Sequence, residues 1–194
     1  VSTLEITMRI DLTSGWLEPA RRVPSPNCDA RPPGTGIDLL IIHGISLPPG
    51  EFGGEWIDAL FTNTLAGEAH PYFAGIRQLR VSAHLLIDRH GVVTQFVPFH
   101  LRAWHAGESS FHGRTQCNDF SIGVELEGTD TVPYEDAQYT AVSAVTRALM
   151  DAYPGITLDR ITGHSDVAPG RKTDPGPAFD WGRFRALLEG RRLT

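Results

Sequence analysis

Two short segments constrain the fold more than anything else in this chain. Residues 37–44, IDLLIIHG, carry Ile and Leu on both faces of one apolar run. Such a run suits a strand covered on both sides of a sheet, and it places His43 at the C-terminal end of that strand. Residues 121–128, SIGVELEG, alternate instead. Ile122, Val124 and Leu126 fall on one face, while Gly123, Glu125 and Glu127 fall on the other.

The remaining pattern builds around these two strands. SAHLLIDRHGVVTQFVPF (82–99) reads as two strands joined at Asp88–Gly91. WIDALFTNTL (56–65) reads as a helix after a Pro- and Gly-rich loop. A longer helix spans 134–153 through Ala137, Ala141, Val145 and Leu149 and stops before Pro154–Gly155; a last one lies in WGRFRALLEG (181–190). Strands and helices interleave without strict alternation. The expected fold is therefore α/β, a single domain over 1–194 with a central mixed sheet flanked by helices. Its first 36 residues, Pro-rich near their end, are expected to form an extended arm on the domain surface. A chain of 194 residues with 41% apolar content can bury a core of its own.

Charge and cysteine usage narrow the function classes. The net charge is −6 with no run of Lys or Arg, which argues against nucleic acid or an anionic membrane as the partner. Two distant cysteines, Cys28 and Cys117, form neither a disulfide framework nor a thiolate metal site. The sequence has no apolar stretch of membrane-spanning length and no apolar leader at its start, so a cytoplasmic protein is expected.

The chemistry concentrates in ITGHSDVAPGRKTDPG (161–176), too polar and too broken to be core. His70, His90, His100 and His112 fall in loops and are expected to face solvent. His43 is unusual because it ends an apolar strand. Paired with His164 and one carboxylate it would make a catalytic zinc set with the fourth position left for water. Either Asp166 or Asp174 can serve as that carboxylate, and spacing does not choose between them. Glu125 lies on the polar face of its strand beside Gly123, and Lys172 sits two residues before Asp174, where its ammonium could face a reacting oxygen.

Five motifs carry a resemblance: IIHGISLPPGEFGGEWIDALFTNTL, RVSAHLLIDRHG, RAWHAGESS, CNDFSIGVELEGTD and GHSDVAPGRKTDPGPAFDW. In this order they closely resemble the type 2 N-acetylmuramoyl-L-alanine amidases, and within them the AmpD-type 1,6-anhydro-N-acetylmuramoyl-L-alanine amidases of cytoplasmic cell-wall recycling. The resemblance covers nearly the whole chain. It implies one Zn²⁺ held in a surface groove by His43, His164 and Asp174, with Asp166 structural. It implies Glu125 and Lys172 as the catalytic pair, and a muropeptide as the small-molecule substrate. Arg80, Trp104 and His105 are implied to line the substrate groove. One position departs: the residue after the first ligand is commonly Asn in such proteins and is Gly44 here.

Three other readings compete with this one. A periplasmic amidase of the same fold would cut intact peptidoglycan. A recognition module would bind without cleaving, but such proteins commonly lack a complete ligand set. A structural zinc site would recruit a fourth ligand, with His84 or His105 in that role. The segment from Ser46 to Gly54 is expected to act as a lid.

Overall fold

The computed structural model describes residues 7–190. In chain order its strands are β1 (Arg9–Asp11), β2 (Trp16–Glu18), β3 (Arg21–Arg22), β4 (Cys28–Ala30), β5 (Leu39–Ile45), β6 (Leu85–Ile87), β7 (Val93–Gln95), β8 (Leu101–Ala103), β9 (Ser110–Phe111), β10 (Arg114–Thr115), β11 (Ser121–Glu127) and β12 (Ile161–Gly163). The helices are α1 (Trp56–Phe61), α2 (Phe73–Ile76), α3 (Asp136–Ala152), α4 (His164–Val167) and α5 (Trp181–Leu188).

Six strands form one mixed sheet in the order β12-β5-β11-β6-β7-β3. β5 and β11 run parallel at its centre, with Glu125 opposite His43 and Gly123 opposite Ile41. β12 and β6 flank them in parallel, β7 turns back antiparallel to β6, and β3 closes the edge beside β7. The α/β fold with a helix-flanked mixed sheet is thus the observed one.

Side-chain parity sorts the central strands into two layers. Leu40 and Ile42 of β5 join Ile122, Val124 and Leu126 of β11 in the larger core, which α3 and α5 cover through Val142, Val145, Leu149 and Phe184. Leu39 and Ile41 face the other way, into a smaller cluster with Ala106, Cys117, Phe120 and Val167. His43, Ser121, Gly123, Glu125 and Glu127 share that second face by the alternation of the strand.

Several expectations are corrected here. β5 continues two residues beyond His43, so the histidine lies within the strand rather than at its end. Every residue of β11 is buried, so its polar face looks into a second packed layer and not into solvent. The first helix is shorter than its sequence pattern, ending at Phe61, where Thr62 turns its hydroxyl onto Asp58 O. His70 is half-buried, its ring 5.3 Å from that of Phe73 and its Nδ1 accepting from Tyr72 N. His90, His100 and His112 are exposed.

Of the segment 1–36, residues 1–6 lie outside the described residues. The rest is fastened at several points. Leu17 is fully buried and Asn27 nearly so, with Asn27 Nδ2 donating to Val81 O at 2.8 Å. β4 pairs with β8, and Arg31 donates to Asp119 O and Ser121 O at 2.9 Å each.

Candidate metal centre

His43 and His164 reach one point from opposite directions. His43 rises from the middle of the sheet. His164 follows Gly163, the last residue of β12, where the chain leaves the sheet and turns into α4. His43 lies toward the carboxyl end of β5 and His164 just past that of β12, the side on which open α/β sheets hold their ligands. The 168–176 turn brings Asp174 back over them, tied by Ser165 N donating to Asp174 O at 2.9 Å.

Three donor atoms converge. His43 Nδ1 is 3.0 Å from His164 Nδ1, His164 Nδ1 is 3.0 Å from Asp174 Oδ2, and Asp174 Oδ2 is 3.3 Å from His43 Nδ1. Among the described residues these three form a His/His/Asp group able to hold a metal ion. The fit is chemical as well as positional. His164 Nε2 lies 3.3 Å from Ala106 O, an atom that only accepts, so Nε2 carries the proton and Nδ1 presents a lone pair. A tetrahedral zinc with donors at about 2.0–2.1 Å separates neighbouring donors by about 3.3 Å. The separations found here, 3.0–3.3 Å, lie close to that.

Charge is organised around the same point. Burial pushes the His43 imidazole down to about 4, so it is neutral and able to donate its lone pair at neutral pH. Burial alone would raise the Asp174 carboxyl, but the neighbouring His164 and His43 imidazoles outweigh it and hold the group well below the usual carboxylate range. Glu125 behaves oppositely. Burial, then the Asp174 charge, raise it well above the usual value, with Lys172 opposing. Its Oε1 lies 3.9 Å from His43 Nδ1, and its Oε2 is buried with no hydrogen-bond partner. An unpartnered carboxylate oxygen beside a donor cluster is a group held ready for a ligand or a proton.

The other sequence candidates are placed as follows. Asp166 does not join the cluster: its Oδ2 accepts from Gly163 N at 2.9 Å and Thr162 Oγ1 at 2.8 Å, closing the turn into α4. Lys172 is exposed and its ammonium makes no hydrogen bond among the described residues, while its charge is felt at both Glu125 and His43. Arg80 is exposed and donates to Leu79 O at 3.2 Å. Trp104 is held by Nε1 donating to Asp29 Oδ1 at 3.2 Å. His105 stands behind His43, its Nδ1 2.9 Å from His43 Nε2 and its Nε2 3.2 Å from Ser121 Oγ.

Neither fourth-ligand candidate fits a closed site. His105 contacts the face of His43 away from the cluster. His84 accepts from Gly123 N at 3.1 Å through Nδ1 and faces Leu101 O at 3.1 Å through Nε2. The Ser46–Gly54 loop is pinned by Gly53 N donating to Glu127 Oε1 at 2.5 Å and by Arg89 over the Phe52 ring at 4.7 Å.

Two supporting residues escaped the sequence reading. Asn118 Oδ1 accepts from both His105 N and Ala106 N, fixing the loop behind the histidines. Tyr134 donates its hydroxyl to Pro175 O at 2.9 Å, next to Asp174. A Cβ at Gly44 would lie 2.4 Å from that hydroxyl oxygen and 3.4 Å from Pro175 Cα. The side chain absent at position 44 therefore points at Tyr134 and Pro175. Nothing in the local sequence signals this pairing; the alternation of β11 would have placed Ser121 on the Glu125 face.

The sheet and the donors at its carboxyl edge define a class: α/β proteins with a mononuclear metal-binding set of two imidazoles and one carboxylate. Comparison with known proteins sharpens this. The family described as N-acetylmuramoyl-L-alanine amidase matches residues 33–177, and the chain belongs to that family. Within it, the chain is 64% identical over 177 residues to the 1,6-anhydro-N-acetylmuramyl-L-alanine amidase AmpD of Citrobacter freundii, covering 91% of this chain and 94% of the relative. It also superposes on a crystal structure of a selenomethionine AmpD derivative with a TM-score of 0.90 at 64% identity, over 93% of this chain and 99% of that one. A more distant likeness is AmpDh3 of Pseudomonas aeruginosa in complex with anhydromuramic pentapeptide, with a TM-score of 0.59 at 26% identity over 79% and 61% of the two chains.

Proposed function

We propose that this chain is a zinc-dependent amidase. It hydrolyses the amide between 1,6-anhydro-N-acetylmuramic acid and the L-alanine of the stem peptide, in cytoplasmic recycling of the cell wall. The observation that carries the reading is the meeting of His43 Nδ1, His164 Nδ1 and Asp174 Oδ2 within 4.8 Å of one another, beside the unpartnered Oε2 of Glu125. The names of the AmpD relatives support the bond and the anhydro sugar, and the AmpDh3 complex supports a muropeptide as the small-molecule substrate.

His43, His164 and Asp174 would hold the ion. Zinc bound there supplies a Lewis acid that polarises a carbonyl and lowers the pKa of water to about 7. Glu125 takes the proton from the attacking water, since burial raises its affinity for protons and so strengthens it as a base. The same carboxyl then returns the proton to the departing alanine nitrogen, so the amine leaves neutral. Lys172 places its free ammonium beside the developing oxyanion, supplying positive charge where the carbonyl oxygen gains negative charge. Trp104, fixed by Asp29, offers an aromatic face to the sugar. Arg80 can exchange its contact with Leu79 O for a stem-peptide carboxylate.

Replacing Glu125 with Gln tests the assignment. The variant should bind one zinc per chain by elemental analysis and lose turnover by about 10²–10⁴-fold. Zinc loss would instead make Glu125 a ligand, and unchanged turnover would remove it from the mechanism. Assaying intact sacculi beside a soluble anhydromuropeptide separates the recycling role, which predicts preference for the soluble substrate, from a wall-cutting one.

A further inference from the structure

The arrangement behind His43 differs from what the family resemblance implies for His105. A histidine that hydrogen-bonds a substrate needs a ring nitrogen free for it. His105 has none free. Its Nδ1 is 2.9 Å from His43 Nε2 and its Nε2 is 3.2 Å from Ser121 Oγ. The two rings meet edge to face, with centroids 5.0 Å apart at 85°. Position 123 makes the fit possible. A Cβ there would stand 2.5 Å from His105 Cγ and Nδ1, so only glycine lets the imidazole lie against the central strand. The backbone of His105 is clamped in turn by Asn118.

We propose that His105 is a positioning residue for the metal ligand His43 rather than a substrate contact. This rests on the metal reading given above. With a cation on His43 Nδ1, the single ring proton of neutral His43 is on Nε2 and must be donated to His105 Nδ1. That fixes the His105 tautomer: Nδ1 accepts, and Nε2 carries the proton and donates to Ser121 Oγ. The chain of hydrogen bonds holds the His43 ring in the orientation that aims its lone pair at the cluster. Metal-ligating histidines usually lean on a carboxylate or a backbone carbonyl. A neutral imidazole is a comparably good acceptor and adds no negative charge behind the ligand. His164 uses the common solution, donating Nε2–H to Ala106 O. The two ligands are thus buttressed by different chemistry.

The test reads metal affinity and not turnover alone. In chelator competition, His105→Ala should weaken zinc binding by about 10–100-fold, the usual effect of removing such a support, while KM for a soluble anhydromuropeptide stays within twofold in zinc-saturated enzyme. His105→Asn, whose amide oxygen can replace the Nδ1 acceptor, should recover most of the affinity. If the Ala variant does not fold, His105→Phe keeps the ring against Gly123 without the nitrogens and should show the same loss. A further readout needs no variant: ¹⁵N NMR of the zinc-loaded wild type should show His105 with a pyridine-type Nδ1 and a pyrrole-type Nε2. The opposite tautomer, unchanged zinc affinity in the variant, or a raised KM with unchanged zinc affinity overturns the proposal. Wild-type protein that binds no zinc would instead sink the metal reading beneath it.

Discussion

Replacing Gly44 with Ala tests how tightly the site is built. Gly44 sits in β5 opposite Leu126 of β11, and its N lies 3.4 Å from Asp174 Oδ2, so its backbone is tied on both sides. A Cβ there would lie 2.4 Å from the Tyr134 hydroxyl oxygen. Tyr134 is only 5% exposed and packs edge to face on Phe179, with ring centroids 5.6 Å apart. Overpacking of this kind costs about 1–3 kcal/mol. Pushing the hydroxyl off Pro175 O leaves a buried carbonyl unpaired, for about 1–3 kcal/mol more. The expected destabilisation is about 2–6 kcal/mol, read by urea unfolding of metal-free protein. Tyr134→Phe removes the clashing oxygen, so the double variant should recover the steric part and lose only the hydrogen bond. The cycle should therefore show a favourable coupling of about 2–6 kcal/mol, the steric part plus the hydrogen bond that both single variants lose. A Gly44→Ala variant within about 0.5 kcal/mol of wild type, or strict additivity, would refute the geometry.

Two further predictions follow from the electrostatics. Lys172→Ala should leave zinc content unchanged and lower kcat by about 10²–10³-fold, because one donor to the oxyanion is lost; an unchanged kcat removes Lys172 from the reaction. Acid should destabilise the metal-free protein. Burial depresses His43 from 6.5 to about 4, so the unfolded chain takes up a proton in that window that the native state refuses. Stability from this group is full above about 6.5 and falls by up to about 3 kcal/mol as pH drops toward 4. His84 and His105, both pushed down by burial, act in the same direction. Glu125, pushed up by burial, opposes them above pH 4.5, so Glu125→Gln should steepen the slope. Denaturant melts between pH 4 and 7 read both effects, and stability that stays flat or rises on acidification contradicts them.

The parts of this fold legible in sequence are those set by periodicity. The two-faced run at 39–42 and the alternation through 122–126 are direct consequences of where β5 and β11 sit, and that alternation placed Glu125 on the site face. It did not reveal that this face is covered, because burial of the polar side depends on the 105–118 loop and on Gly123 admitting His105. The choice between Asp166 and Asp174 was invisible to spacing. It is made by the turn into α4, which spends Asp166 on Gly163 N and Thr162 Oγ1. The packing of Gly44 on Tyr134 joins residues 90 positions apart and leaves no local pattern. Lys172 was singled out by its spacing from Asp174 and given its role by resemblance; in the structure it is exposed.

The most direct test is product analysis by mass spectrometry. A defined 1,6-anhydro-N-acetylmuramoyl tripeptide is incubated with the zinc-loaded protein, and in parallel with protein stripped by a chelator. The account predicts two products from the loaded protein alone, anhydro-N-acetylmuramic acid and a tripeptide with a free L-alanine amine, and restoration of both when zinc is returned. Intact substrate after incubation with zinc-loaded protein, or equal cleavage by the stripped protein, would contradict it.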